Sequence, residues 1–216
     1  SRPPSSSLPW ALELGIMKLL ALTLYKWKQD DSVELIQCTE LSSFSFIYRP
    51  TLRDHIRFHG RLVVNRTPLG RRSTVEMDQN LGKIHSWVHP QGVGAMVLID
   101  SEYPQRVALS LLSESVRIFL ERMTSRWEEA TGDMTLTCPE IEDLFVKYQN
   151  PAEADKLTKI DKNLQEVKGN LLQSMDDLLK RGESLDQLME KSKDLSDSSL
   201  RFYRTAKKNN QCCKMY

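Results

Sequence analysis

The chain has 216 residues, of which 40% are hydrophobic and 27% charged, and its formal net charge is +1. This length can bury one sizeable core and still leave residues for an extended element. The near-neutral balance excludes the strong positive field that nucleic-acid-binding proteins use. Two of the four cysteines form a terminal pair, so the sequence predicts a reducing compartment without a disulfide framework.

Residues 1–16 are rich in proline and serine and precede Met17, a plausible start. We expect 1–16 to be a disordered N-terminal extension that takes no part in the fold. The apolar stretch 14–25 contains Lys18 and is shorter than the ~20 apolar residues of a membrane helix. No small-residue cleavage site follows it, so we predict neither a secretory signal nor a membrane-spanning segment.

Residues 17–150 alternate strand-like and helix-like patterns and are predicted to form one α+β domain. Strands at 17–25 and 33–38 form a hairpin, and Pro50 begins a helix. The later elements are three strands at 73–77, 82–88 and 93–100, a long helix from Pro104 and a short helix at 140–147.

Asn150 and Pro151 form a boundary signal between this domain and a C-terminal arm, residues 151–211. No proline follows Pro151, and only Gly169 and Gly182 interrupt the helical pattern. The arm is therefore predicted to be competent to form one helix of about 60 residues, roughly 90 Å long if fully helical. Two glycines and frequent Ser, Asp and Asn weaken that helix, so we expect the arm alone to become helical only with partner helices.

An apolar heptad seam along the arm predicts partner helices, because a lone helix cannot hide such a stripe from water. Arg181 interrupts the seam near its centre. A seam arginine fixes register, since its five donors need acceptors from the partners. The alternative is a surface arginine beside an irregular amphipathic helix. The other seam positions are Leu157, Ile160, Leu164, Val167, Leu171, Ser174, Leu178, Leu185, Leu188, Ser192, Leu195, Ser199, Phe202, Ala206 and Asn209.

The tail, residues 212–216, has the features of a lipid anchor. Cys213 is four residues from the end, where prenyl transferases act, and the adjacent Cys212 is a usual palmitoylation site. One lipid holds a protein to a membrane only reversibly, whereas a second lipid or a basic patch makes the attachment stable. The alternative is a frayed polar end with two incidental thiols. The nearby basic residues are Arg201, Arg204, Lys207 and Lys208.

No catalytic constellation is evident in the sequence. His55 and His59 are four residues apart, a spacing used by metal-binding histidine pairs, but no glutamate follows His55 and no third ligand is evident. Gly92-Val93-Gly94 lacks the further glycine and lysine of a phosphate-binding loop. We predict no enzyme activity, cofactor or metal.

Five segments, read with the seam, Arg181 and the cysteine pair, are similar to those of one family. They are SSFSF at 42–46, DSEYPQRVA at 100–108, YQNPAEAD at 148–155, LLKRGE at 178–183 and FYRTAKK at 202–208. From Met17 to its end the chain resembles a prenylated longin-type R-SNARE. Its last four residues, Cys213-Lys214-Met215-Tyr216, depart from that family's usual cysteine, two aliphatic residues and methionine.

The resemblance implies a longin domain, a profilin-like sheet of five antiparallel strands flanked by three helices, followed by a SNARE coiled-coil helix. It implies that the arm coils with three Q-SNARE helices, with Arg181 opposite their glutamines, to fuse transport vesicles with target membranes. The implied location is the cytosol and the cytosolic face of Golgi, ER and other endomembrane vesicles.

Phe44, Phe46 and Phe58 have two interpretations. Aromatic side chains dominate small cores, which favours core positions for all three. The resemblance offers a second role, an apolar groove beside the first helix that receives the arm or the lipid tail. In that role the longin domain contacts the arm within one chain, and so autoinhibits and targets the protein.

Two other functions remain open. The first is a coiled-coil tether or scaffold that does not drive fusion, although a plain tether gains nothing from the central charge of Arg181. The second is an enzyme that uses the α+β domain, although no clustered nucleophile and base is visible.

Overall fold

The computed structural model describes residues 18–77, 82–123, 127–157 and 172–212. Their strands form one six-stranded sheet in the order β2-β1-β5-β4-β3-β6. The first five strands pair antiparallel, as predicted, whereas β6 pairs in parallel with β3. The strands are β1 (Leu19–Lys26), β2 (Val33–Thr39), β3 (Arg72–Glu76), β4 (Lys83–Val88), β5 (Val93–Ile99) and β6 (Leu172–Ser174).

The helices predicted before residue 150 are confirmed. Prolines begin two of them, because proline fixes a helical φ and lacks the N–H that a first turn leaves unpaired. The helices are α1 (Arg49–Arg66), α2 (Gln105–Arg122), α3 (Pro139–Lys147), α4 (Pro151–Leu157), α5 (Leu185–Lys191) and α6 (Asp197–Cys212), with a 3-10 turn at Asp176–Leu178.

Strand β5 lies in the middle of the sheet, between β1 and β4, and all seven of its residues are buried. A run without polar alternation is expected for a strand that is covered on both faces. Helices α2 and α3 cover one face, where Leu111 and Phe119 are buried. Helix α1 covers the other face and packs on Met96.

Helix α1 approaches the sheet closely at Gly94 of β5. A Cβ atom at Gly94 would lie 2.7 Å from Val64 Cγ1, closer than real Cβ contacts. The absent side chain therefore fixes how deeply α1 sits on the sheet. The opposite, outward side of α1 remains available to the arm.

Two expectations are corrected by the structure. The sheet has six strands instead of five, because β6 of the arm adds to the free edge of β3. The described part of the arm is also broken into α4, β6, the 3-10 turn, α5 and α6 instead of forming one helix. A single chain offers the seam no partner helices, so short elements that bend over α1 bury its apolar residues. Gly182, with a φ of 85°, occupies one of the bends.

Replacing Gly82 by alanine is expected to lower the free energy of unfolding by about 2–4 kcal/mol. Gly82 has a φ of 115°, and a Cβ atom there would lie 1.9 Å from the carbonyl oxygen of Ile99, a backbone atom that cannot rotate away. Gly132→Ala is the control, since its Cβ would have no atom within 4 Å. Urea denaturation of both variants measures the difference, and equal stabilities would contradict the packing described.

Candidate functional site

The outward side of α1 and the arm share one apolar cluster. Phe58 of α1 is buried in it, together with Met175, Leu178, Met189 and Leu195 of the arm. Burial of side chains of this size stabilises by roughly 1.5–3 kcal/mol each relative to exposure. The cluster therefore favours an arm that lies on α1.

The seam residues of the arm divide by their exposure. Leu178, Leu195 and Ser199 are buried, and Ser174 is exposed. Leu185, Leu188, Ser192, Phe202 and Ala206 are half-buried. The predicted seam positions outside the described residues are Ile160, Leu164, Val167 and Leu171, together with the side chains of Leu157 and Asn209.

Arg61 of α1 joins three separate segments through its guanidinium group. Nε and Nη2 donate to the two oxygens of Asp194 in the arm, at 2.7 and 2.9 Å. Nη1 and Nη2 donate to Asp133, in the connection before α3, at 3.0 and 2.9 Å. Nη1 also donates to the carbonyl oxygen of Ser32 in the β1–β2 loop. These bonds use all the donors that an arginine has.

The guanidinium group of Arg61 is shielded from water, so the electrostatic attraction in its ion pairs is stronger than in pairs on the surface. The side chains of Arg61 and Asp194 are 7% and 4% exposed. Burial alone would lower the pKa of Arg61, but the hydrogen bonds with Asp194 and Asp133 raise it above its ordinary value. Burial alone would raise the pKa of Asp133, but the hydrogen bonds from Arg61 outweigh burial and lower that pKa below its ordinary value. Removal of one partner would leave buried charge uncompensated.

Asp54 of α1 binds the start of α6. Its Oδ2 atom accepts hydrogen bonds from the backbone N–H of Ser196 at 3.2 Å and from the hydroxyls of Ser196 and Ser199, both at 2.8 Å. A carboxylate is favourable there because the N-terminus of a helix has partial positive charge. Two ring contacts follow along α6, between Tyr48 and Phe202 and between His55 and Tyr203.

Arg181, the predicted central residue of the seam, lies in the turn with Gly182 and is exposed. The contact with α1 near this turn is made instead by Glu183, which accepts from Arg66 Nη2 at 2.9 and 3.2 Å. The turn thus attaches to α1 while the Arg181 side chain faces solvent.

The histidine pair of α1 is part of the packing under the arm. His59 Nδ1 lies 2.8 Å from the carbonyl oxygen of His55, and the two rings stack at 5.9 Å. Burial, with a smaller contribution from His55, lowers the pKa of His59 to about 4. Burial also lowers the pKa of His55. Within the described ranges, no group of three or more potential metal ligands occurs.

The three aromatic residues predicted as core or groove are placed differently from one another. Phe58 is buried, and Phe44 is partly buried against the same cluster. Phe46 is 75% exposed, so the core interpretation is wrong for it. The chain turns between Phe44 and Tyr48, and this turn leaves Phe46 at the surface.

Cys38 is half-buried and Cys138 is buried, and both are free thiols. Burial raises the pKa of Cys38 to about 11, so its thiolate is scarce at neutral pH. Cys213 and the side chain of Cys212, the predicted lipidation sites, lie outside the described residues.

A longin-like α+β domain whose own arm carries a heptad seam with a central arginine has the architecture of a longin-type R-SNARE. Among the described residues, no helix is both long enough and apolar enough to span a bilayer.

Comparisons with known proteins agree with this architecture. A family model described as a regulated-SNARE-like (longin) domain matches residues 41–143, and the synaptobrevin model matches 156–216. The chain is 37% identical over 199 residues to the VAMP-like protein YKT61 of Arabidopsis thaliana, covering 91% of this chain and 98% of the relative. It is 35% identical, with the same coverage, to the synaptobrevin homolog YKT6 of Yarrowia lipolytica. It is 37% identical over 203 residues to the putative synaptobrevin homolog YKT6 of Dictyostelium discoideum, again covering 91% and 98%.

The chain therefore belongs to the longin-type R-SNARE family, the non-enzymatic SNAREs of vesicle trafficking. This membership supports assembly of the arm with other SNARE helices into a bundle.

Acid is expected to weaken the folded state through His59. Its pKa is about 4 when buried and 6.5 when exposed, so between these values only the unfolded chain binds the proton. The stability that depends on neutral His59 is present above about pH 6.5 and is lost as the pH falls towards 4. Between about pH 7 and pH 5, the free energy of unfolding of the wild type should fall by about 1–2 kcal/mol more than that of His59→Gln. Urea denaturation at several pH values checks this, and a difference independent of pH would contradict it.

Replacing Asp194 by asparagine is expected to lower the free energy needed to release the arm from α1 by about 1–3 kcal/mol. Arg61 loses a buried charge partner but keeps Asp133. Hydrogen exchange of α5 and α6 should accelerate accordingly, with little change in β1 and β5. Lys193→Gln is the matched control, since its pair with Asp31 is exposed at 53% and 67%. Equal exchange in the two variants would show that Arg61 does not hold the arm.

Proposed function

We propose that this R-SNARE drives fusion of endomembrane vesicles by coiling its arm with three Q-SNARE helices on the opposing membrane. Before assembly, the arm lies on α1 and the chain is autoinhibited. The longin domain thus competes with the partner helices for one surface of the arm.

The observation that carries this proposal is the double use of the seam. Leu178, Leu195 and Ser199 are seam positions that a bundle would bury, and the same side chains are buried in the apolar cluster and against Asp54. One side chain cannot pack in both places. Binding of Q-SNARE helices therefore requires release from α1, and the equilibrium shifts by the difference in free energy between the two packings.

Assembly of the bundle supplies the work of fusion. Seam side chains buried between helices contribute about 25 cal/mol per Å² of apolar surface. Coiling starts near Leu157 and proceeds towards Asn209, which draws the attached membranes together. Arg181 enters the centre of the bundle, where the amide oxygens of three glutamines accept its donors and fix the register.

Attachment of the chain to its own membrane is assigned to lipids, a prenyl group on Cys213 and palmitate on Cys212. Two lipids are needed for stable attachment. The chain then exchanges between the cytosol and the cytosolic face of Golgi, ER and related vesicles. Intact-mass spectrometry of the protein from its native cells measures both additions, and unmodified cysteines there would contradict this assignment.

Arg181→Gln is expected to weaken the four-helix complex by about 1–3 kcal/mol and to leave the arm on α1 unaffected, because Arg181 is exposed there. A reciprocal glutamine-to-arginine change in one partner should restore assembly. The measurements are melting of the complex and fusion of reconstituted vesicles.

Asp194→Asn is the matched comparison for Arg181→Gln. Asp194 adjoins Leu195 but lies off the seam, so its replacement should accelerate assembly without changing the melting temperature of the complex. An Arg181→Gln chain that assembles and fuses like wild type would contradict the R-SNARE mechanism. An Asp194→Asn chain that assembles no faster would contradict only the autoinhibition.

A further inference from the structure

The loop between β2 and α1 presents two adjacent large apolar side chains to solvent. Phe46 is 75% exposed and Ile47 is 65% exposed. We propose that Phe46 and Ile47, here called the tip, insert into the interface of an anionic lipid bilayer. Phe46 and Ile47 belong neither to the cysteine pair nor to the seam, so this contact is distinct from lipid modification and from bundle assembly, although Phe202 of the seam packs on the neighbouring Tyr48.

The tip is held in place on both sides by hydrogen bonds and packing. Arg49 donates from Nε to the carbonyl oxygen of Phe44 at 2.9 Å and from Nη2 to that of Ser42 at 2.8 Å. The N–H of Tyr48 donates to the carbonyl oxygen of Ser45 at 2.9 Å. Phe44 packs on the apolar cluster, and Tyr48 packs on Phe202. The outward position of the tip is therefore built into the loop, which lowers the backbone entropy that would be lost on insertion.

The two segments beside the tip, residues 41–53 and 198–212, carry basic residues and contain no aspartate or glutamate. The acidic residues that border them are Glu40, Asp54 and Asp197. Glu40 accepts a hydrogen bond from the N–H of Ser42, and Asp54 accepts hydrogen bonds from Ser196 and Ser199.

The two segments meet where the Tyr48 and Phe202 rings lie 5.6 Å apart. Arg204 and Lys207 pair with Glu190 and Asp186 in α5. Within the part of the chain that the structure describes, the exposed basic residues of the two segments that form no such pair are Arg53, Arg201 and Lys208.

This combination selects a membrane as the partner. An aromatic and an aliphatic side chain flanked by lysine and arginine match the acyl boundary and the anionic headgroups of a bilayer. Lysine and arginine reach headgroups while their stems remain near the apolar region. Cys212 lies about 15 Å along α6 from Phe202.

The test uses the full chain, produced without lipid modification, and vesicles of phosphatidylcholine with or without phosphatidylserine. Wild type should bind vesicles that contain phosphatidylserine and bind neutral vesicles much more weakly. The double variant Phe46→Ser/Ile47→Ser should lower the partition coefficient about tenfold or more. Val146→Ser is the matched control: Val146 is 69% exposed, lies on α3 across the sheet, and should have no effect.

A second measurement locates the contact directly. Tryptophan placed at position 46 should be quenched by brominated lipid, whereas tryptophan at position 146 should not. No binding of wild type to anionic vesicles, equal binding by the double variant, or equal loss in Val146→Ser would each overturn the proposal. Assembly of the double variant with soluble Q-SNARE helices should match wild type, so failure of the tip leaves the proposed fusion function intact.

Discussion

An apolar seam on a single chain must be buried by something, and this constraint determines how the arm folds. With partner helices present, the seam would be buried in a coiled coil. In the chain by itself, part of the seam is buried on the outward side of α1, where Leu178 and Leu195 lie beside Phe58. The arm is therefore broken between β6, α5 and α6, because one straight helix could contact α1 along only a fraction of its length.

The sheet domain provides a fixed surface for this interaction. The close approach at Gly94 sets the depth of α1 on β5. Arg61 lies on α1, beneath the arm. Arg61 then links the arm to two loops of the sheet domain through Asp194, Asp133 and Ser32. A guanidinium group with every donor occupied tolerates little displacement, so it selects one position of the arm where apolar packing alone would allow several.

The sequence predicts the sheet domain well because its strands and helices follow local periodicity, as in β5 and α2. The fold of the arm is not predicted by the sequence, because the heptad pattern indicates which side chains need burial but not which surface buries them. The burial of Phe58 could be predicted from its place on α1, whereas the exposure of Phe46, two residues from Phe44, depends on the turn geometry and could not be predicted. The ion pair of Asp194 with Arg61 could not be predicted from the sequence, because the two residues are distant along the chain. A charged residue among the buried positions of α1 was the one clue.

We propose that the arm exchanges between α1 and a bundle with three Q-SNARE helices. The most direct test is the distance between spin labels at positions 53 and 201, exposed sites on α1 and α6, with a second pair inside the sheet domain as reference. We expect one short distance in the free chain, replaced by a long one when three Q-SNARE helices are added. A broad, long distribution in the free chain, or a short distance that persists in the assembled bundle, would contradict it.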